Sequence, residues 1–241
     1  MMNDKLDILA FAAHPDDVEI SVAGTLIKHI EAGLKVGIID LTQGELGSRG
    51  TVVTRFNEAE EASKIIGIHQ RVNLKLGDGF FEINEENKRL IIEQIRRFQP
   101  RIVLANAVHD RHPDHGRASQ LVSEACYLSG LLKIKTEWEE RAQEAFRPKA
   151  VYHYIQDYHI KPDFVVDISE YYERKMTVLR AYKSQFYDPN SKEPQTPISG
   201  EEFFDFLKSR MMDFGRPIGA KYAEGYTVER YLGVNRLDDL I

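Results

Sequence analysis

Four short apolar runs, Leu6 to Ala13, Val36 to Leu41, Val72 to Leu76 and Arg101 to Ala107, recur through the first half of the 241-residue chain, each followed by a segment of helical character. No other feature constrains the fold as much. Strand–helix–strand units in succession call for right-handed crossovers and a mostly parallel sheet with helices on both faces. The helical segments run from Val18 to Ala32, Thr54 to Ile66, Asn84 to Phe98 and Asp114 to Leu132. Gly33 and Gly67 stand where a helix stops, and Thr54 and Asn84 where one starts; Pro100 prevents continuation of the third. Beyond Leu132 the pattern predicts a short helix over Thr136 to Ala145, strands over Ala150 to Ile155 and Phe164 to Ile168, and a helix from Ser169 to about Phe186. A proline-bearing loop, Tyr187 to Ser199, and a last helix, Gly200 to Phe214, follow, and the tail is mixed. There is no internal repeat and no linker. Residues 1–241 are therefore expected to form one Rossmann-like α/β domain, its C-terminal half adding strands and a helical cap to the same sheet.

Two turns carry the chemistry. His14-Pro15-Asp16-Asp17 follows the first strand and His112-Pro113-Asp114-His115 follows the fourth. In an open α/β sheet the carboxyl ends of such strands flank the crevice where ligands bind. A dinucleotide loop needs Gly-x-Gly-x-x-Gly after the first strand, and neither that nor a Walker A loop is present. Imidazole and carboxylate are ordinary zinc ligands, and a catalytic zinc keeps three of them with one position open for water. His14, Asp17, His112 and His115, with Asp16 and Asp114 beside them, exceed that need. The surplus suits hydrolysis, which uses a base for the water's proton and an acid for the leaving group. Local roles compete: Asp16 and Asp114 could cap helices, and Glu19 is as well read as a solvated first-turn carboxylate as a supporting group. The loop from Thr42 to Val53, with Gly44, Gly47 and Gly50, could cradle an anion, though such a loop is more often a mobile lid or a plain connection.

The net charge of -6, from 32 basic and 38 acidic residues without a like-charged block, argues against a nucleic-acid surface. The single cysteine, Cys126, allows no intrachain disulfide and reads as a small core residue. Met1-Met2-Asn3-Asp4-Lys5 lacks the apolar stretch of a signal peptide, and no apolar run approaches a membrane span. A cytoplasmic protein without membrane attachment is expected.

The pair Ala-His-Pro-Asp-Asp-x-Glu and His-Pro-Asp-His resembles the LmbE-like (PIG-L type) zinc-dependent deacetylases, which act on N-acetylglucosamine conjugates. Arg55-Phe56-Asn57-Glu58-Ala59, Ser184-Gln185-Phe186 and Tyr222-Ala223-Glu224-Gly225-Tyr226 look like the bacillithiol biosynthesis branch. The resemblance implies His14, Asp17 and His115 as ligands of Zn(2+); by its donor types a His-His-Asp set would also accept iron, cobalt or manganese. It implies Asp16 as general base, His112 as general acid or oxyanion partner, and Asp114 as the partner that holds His112 charged. It implies Arg55 and Arg111 in the substrate pocket, N-acetylglucosaminyl malate as the small-molecule substrate, and a homo-oligomer such as a hexamer. The related mycothiol branch has a tyrosine where this chain has Asp110. Two alternatives stand: the same chemistry on another N-acetyl sugar conjugate, and a non-catalytic sugar- or nucleotide-binding protein. The second has no use for Asp16 beside the ligands.

Overall fold

The computed structural model describes residues 4–240, so Met1 to Asn3, part of the stretch expected to lack a signal peptide, lie outside the described residues, as does Ile241. Strand β1 (Ile8–Ala12) leads into α1 (Asp17–Glu31), β2 (Val36–Thr42) into α2 (Val52–Ile66), β3 (Gln70–Leu76) into α3 (Glu85–Phe98), and β4 (Ile102–Ala105) into α4 (Pro113–Leu128). A two-stranded ribbon follows, β5 (Glu137–Trp138) with β6 (Arg141–Ala142). Next come β7 (Ala150–Tyr154), β8 (Phe164–Asp167), α5 (Tyr172–Arg180), α6 (Glu202–Gly215) and β9 (Ala223–Val228). Seven strands form one sheet in the order β3-β2-β1-β4-β7-β9-β8. The first five in that order are parallel, and β9 enters antiparallel between β7 and β8.

Alternation along the strands builds two cores. Ile8, Ala10, Ala12 and Ile38 face α1, α2, α5 and α6, whereas Leu9, Phe11, Ala13 and Ile39 face α3 and α4. Because β1 is central and covered on both sides, all five of its residues are buried, as a near-continuous apolar run in a parallel sheet requires.

Three local expectations change. Thr136 to Ala145 is the β5–β6 ribbon and not a helix: Glu139 and Glu140 take φ of 50° and 62° at its turn, and the Arg97 guanidinium stacks 4.1 Å over Trp138. Tertiary packing overrides good helix-forming composition there. Thr51, not Thr54, caps α2, its side chain accepting from the Thr54 N–H at 3.1 Å. The helix begun at Ser169 is a 3-10 turn followed by α5, which ends at Arg180, short of Phe186.

The tail is what holds α1 in place. The buried Glu224 carboxylate of β9 accepts from Gly24 N at 3.0 Å, Thr25 N at 2.7 Å and Lys175 Nζ at 2.6 Å. Tyr226 donates to Thr25 Oγ1 at 2.7 Å. Glu224 and Lys175 are each buried, and the pair is sustained because the carboxylate is fully hydrogen-bonded. The Tyr222 to Tyr226 segment thus fixes the helix whose first residue is Asp17.

Candidate active site

The turn after β1 reverses the chain abruptly. Asp16 takes φ 130°, a conformation that costs a non-glycine residue about 1–3 kcal/mol and persists only when its surroundings impose it. They do: the Arg55 guanidinium pairs with Asp16 Oδ2 at 3.0 Å and donates to the Pro15 carbonyl at 2.7 Å. Arg55 also reaches the Gly44 carbonyl at 3.4 Å, and a side chain at Gly44, where φ is 66°, would collide with the guanidinium. Asp16 caps α1 by position only; its side chain makes no capping bond.

The turn after β4 is built otherwise. Its helix begins at Pro113, with His112 as the cap: His112 Nδ1 accepts from the Asp114 N–H at 3.3 Å. That bond leaves the ring's proton on Nε2. The Asp114 carboxylate turns away from His112. It contacts His14 Nε2 at 3.2 Å, the Gly79 N–H at 2.8 Å, and Arg117. The expected His112–Asp114 ion pair is absent, because Asp114 lies inside the first turn of α4 and its side chain reaches across to the β1 turn.

Two sets of donors converge. His14, His112 and His115 form one group and His14, Asp78 and Asp114 another. The second is already satisfied: Asp78 accepts from Leu46 N at 2.8 Å and pairs with His14 Nε2 at 3.0 Å, while Asp114 has the three partners just named. On the other side of the same ring, His14 Nδ1 stands 3.6 Å from Asp17 Oδ2, and His115 Nε2 stands 3.1 Å from Asp17 Oδ1. Ligands on a tetrahedral zinc, each about 2.0–2.1 Å from the ion, lie about 3.3 Å apart, and each of these two spacings, one to either oxygen of Asp17, is close to that value. The far nitrogen of each histidine meets a carboxylate, His14 Nε2 that of Asp78 and Asp114, and His115 Nδ1 that of Asp110 at 2.5 Å. This is how ligating imidazoles are oriented. His14, Asp17 and His115 could therefore hold a divalent cation, with Asp78, Asp110 and Asp114 behind them.

The electrostatics show how strongly the cluster calls for positive charge. Burial disfavours the charged imidazole of His14, yet hydrogen bonds that it makes to Asp114, Asp17 and Asp78 outweigh it and hold its pKa well above the usual value. His115 is likewise held up at about 9: burial opposes, while Asp17 and Asp110 prevail. Burial pushes the Asp16 carboxyl up to about 7, with Arg55 opposing and Asp17 reinforcing. His112 is lowered, first by burial and then by the charge of His14 and His115, with Asp114 opposing.

His14, Asp16, Asp17, Asp78, His112 and His115 line a cavity of about 290 Å³, which Arg55, Arg111 and Gln185 also reach. Arg55 is buried and spends its Nη atoms on Asp16, Pro15 and Gly44; its Nε has no partner among the described residues. Arg111 is exposed at the mouth, its Nε donating to Asp157 at 2.7 Å. Glu19 is buried and not solvated, held by Arg71 at 2.6 Å and Tyr182 at 2.9 Å. His109 stays outside the cavity wall, its ring 5.3 Å from that of Tyr158. The glycine-containing loop is tied down by Arg49 Nε on the Ser184 carbonyl at 2.7 Å and by Gln185 Nε2 on the Arg49 carbonyl at 3.0 Å. The Ser184-Gln185-Phe186 segment thus clamps the cavity roof.

Asp78, Asp110, Asn106 and Gln156 escaped the sequence reading. For Asp110 a signal existed, since it precedes the second motif by two residues. Asp78 lies in a Gly-Asp-Gly turn, and Asn106 and Gln156 at strand ends, with nothing in their spacing to connect them to the site.

Residues 9–126 match the family described as PIG-L, GlcNAc-PI de-N-acetylase. Diacetylchitobiose deacetylase of Thermococcus kodakarensis is 29% identical over 234 residues, covering 92% of this chain and 83% of that protein. Probable N-acetyl-alpha-D-glucosaminyl L-malate deacetylase 2 of Bacillus anthracis is 26% identical over 198 residues, covering 77% and 84%. Among solved structures, a conserved protein of Thermus thermophilus superposes with a TM-score of 0.84 at 35% identity, covering 95% of this chain and 98% of that one.

Proposed function

Since the chain belongs to the PIG-L (GlcNAc-PI de-N-acetylase) family, we propose that it is a metal-dependent deacetylase of N-acetylglucosamine conjugates, with His14, Asp17 and His115 as ligands of a divalent cation, zinc first among the candidates. The observation that carries this reading is the shared edge on which His14 Nδ1 and His115 Nε2 both face Asp17 while carboxylates hold the opposite nitrogens. A bound divalent ion would polarise the acetyl carbonyl and make water a nucleophile near neutral pH.

The chain's own residues divide the remaining work. Asp16 takes the proton of the attacking water; Arg55 holds its carboxylate in place. His112, protonated at Nε2, donates to the carbonyl oxygen as charge develops there, an interaction worth about 2.7–4 kcal/mol when preorganised. The C–N bond breaks, acetate forms, and the leaving nitrogen departs as the free amine after receiving from Asp16 the proton that Asp16 took from the water. Asp114 supports His14, not His112.

For the aglycone, the malate of N-acetylglucosaminyl malate is the first reading, as in bacillithiol biosynthesis. Arg111 supports it, because its Nη atoms make no hydrogen bond within the described residues and a guanidinium can grip a carboxylate through two parallel bonds. A second reading, an N-acetylglucosamine disaccharide, is favoured by the 29% identity over 92% of the chain to the chitobiose deacetylase. No helix among the described residues is long and apolar enough to cross a membrane, and the buried, unpaired Cys126 suits a cytoplasmic setting. The test is acetate and free-amine release by purified, zinc-loaded protein from N-acetylglucosaminyl malate, diacetylchitobiose and N-acetylglucosamine. Release from none of the three overturns the proposal.

A further inference from the structure

Asp17 is the donor between the two histidines, and three neutral N–H groups surround it. His14 N donates to Oδ2 at 2.9 Å, Asn106 Nδ2 to Oδ2 at 3.0 Å, and Gln156 Nε2 to Oδ1 at 2.5 Å. Asn106 and Gln156 are both buried, at the carboxyl ends of the neighbouring strands β4 and β7. They are also joined to each other, Asn106 Nδ2 donating to Gln156 Oε1 at 3.2 Å. The chain of bonds starts at a fixed point. The backbone N–H of Ala13, one residue before His14, donates to Asn106 Oδ1 at 2.9 Å.

That starting point decides how both amides are turned. A backbone N–H can only donate, so the atom of Asn106 facing Ala13 is the oxygen. The nitrogen of Asn106 must then face Asp17 and Gln156. Gln156 must in turn present its oxygen to Asn106 and its nitrogen to Asp17. The reverse arrangement would set two oxygens against the Asp17 carboxylate and a donor against the Ala13 N–H, so it fails at the Asp17 and Ala13 contacts, although the bond between the two amides would survive with its direction reversed. Gln156 Nε2 also lies 3.3 Å from His115 Nε2, on the edge where the histidine meets Asp17.

We propose that Asn106 and Gln156 are positioning residues: an amide relay anchored on the Ala13 N–H that fixes the Asp17 carboxylate in the orientation in which it, His14 and His115 bind one divalent cation. The relay rests on the metal-centre reading given above. It spans three strand ends, β1, β4 and β7, so it also sets the separation of the two His-Pro-Asp turns across the crevice. Neutral donors suit this task. They orient the carboxylate without cancelling the charge that attracts the cation, as an arginine in either place would.

The test uses the full chain, stripped of metal and titrated with Co(II), whose absorption between d levels reports coordination geometry. Asn106→Asp keeps the side chain's size but removes its donor and turns Gln156 away from Asp17. Gln156→Met removes the second donor while keeping the site filled. Each variant should bind Co(II) about 10–100-fold more weakly, the range for losing a supporting partner of a ligand. The absorption bands of the saturated variants should also shift or lose intensity relative to the parent. Thermal unfolding of the metal-free proteins separates this from a folding defect: Gln156→Met should melt with the metal-free parent, so that its affinity loss cannot come from the scaffold. Parent-like affinity and an unchanged spectrum in Gln156→Met overturn the relay and leave the deacetylase proposal standing. A parent that takes up neither Co(II) nor Zn(II) overturns the metal centre and the relay together.

Discussion

The two His-Pro-Asp turns carry nearly the same letters at the ends of neighbouring parallel strands, and the fold uses them differently. After β1 the helix begins at Asp17, the fourth residue of the motif; after β4 it begins at Pro113, the second. Two residues of helix account for the contrast. In the first turn Asp16 is left outside the helix at φ 130°, on the cavity wall beside the proposed ligands. In the second the equivalent Asp114 is wound into α4, fully buried, and reaches across to His14 and Arg117. His14 presents both ring nitrogens to side chains, whereas His112 gives one to capping its own helix. Shared spelling therefore does not imply shared work: where a helix starts decides which carboxylate stays on the cavity wall and which turns to the histidine of the other turn.

The sharpest way to break this comparison is to neutralise the two equivalent aspartates. Asp16→Asn should lower kcat by about 10²–10⁴-fold, the range for losing a general base, with metal content unchanged. Asp114→Asn should instead weaken metal binding by about 10–100-fold, with kcat largely restored at saturating metal. Metal analysis by mass spectrometry alongside turnover checks both. If Asp16→Asn sheds the metal while Asp114→Asn abolishes turnover at full occupancy, the assignments are reversed.

The histidines give the next largest contrast. His112→Gln should keep the cation and lose about 10²–10³-fold in kcat, as expected for one preorganised donor to a developing oxyanion. His115→Gln, at the last position of the same motif, should lose the cation itself. Equal metal loss in both would make His112 a ligand and favour the three-histidine grouping over the one that includes Asp17.

Much of this was legible in the sequence. The alternation of apolar runs and helical segments up to Leu132 predicts the parallel sheet, because each unit is local and its pattern is set by covalent neighbours. The His-Pro-Asp motifs mark the crevice for the same reason. Three kinds of information were out of reach. The β5–β6 ribbon forms against helical composition, through the packing of Trp138 under Arg97. The antiparallel insertion of β9 between β7 and β8 is a pairing between segments some sixty or more residues apart. Asp78 reaches His14 from the β3–α3 turn, far along the chain, and spacing does not encode such a meeting, whereas Asp110, in the loop just before His115, was within reach of the sequence. Arg55 reaches the cavity as the resemblance implies, but its contacts were not legible: the carboxylate it meets is that of Asp16.

Asp78 and Asp110 extend the comparison to the groups behind each turn. One pairs with His14, the other with His115, and the proposed reaction gives neither a proton to transfer. Asp78→Asn and Asp110→Asn should each weaken Zn(II) binding by about 10–100-fold, measured by competition with a chromophoric chelator. Asp78 also holds the Leu46 N–H at 2.8 Å in the roof loop. Its substitution should therefore raise KM as well, whereas Asp110→Asn should leave KM near its parent value. Identical KM changes in the two would remove the coupling between His14 and the loop.

The smallest expected effects separate the two arginines. Arg55 is tied to the first turn through Asp16 and Pro15, deep in the protein. Lysine retains its charge but not the fork that reaches both acceptors at once. Arg55→Lys should therefore lower kcat by about 10-fold, and by the same factor for N-acetylglucosaminyl malate and for diacetylchitobiose, because the damage is to Asp16 and not to the aglycone. Arg111 precedes the second turn at the mouth, with its Nη atoms open to solvent-side ligands and Asp157 on its Nε. A charge so exposed is screened, and its contribution is modest. Arg111→Ala should raise KM for the malate conjugate by about 3–10-fold, or roughly 0.7–1.4 kcal/mol, and should leave the neutral disaccharide unaffected. Added salt should shrink the difference between the two substrates in the parent and change nothing in the variant. If Arg111→Ala raises both KM values alike, then Arg111 shapes the mouth through its pair with Asp157, and the malate reading loses the one cation that supports it.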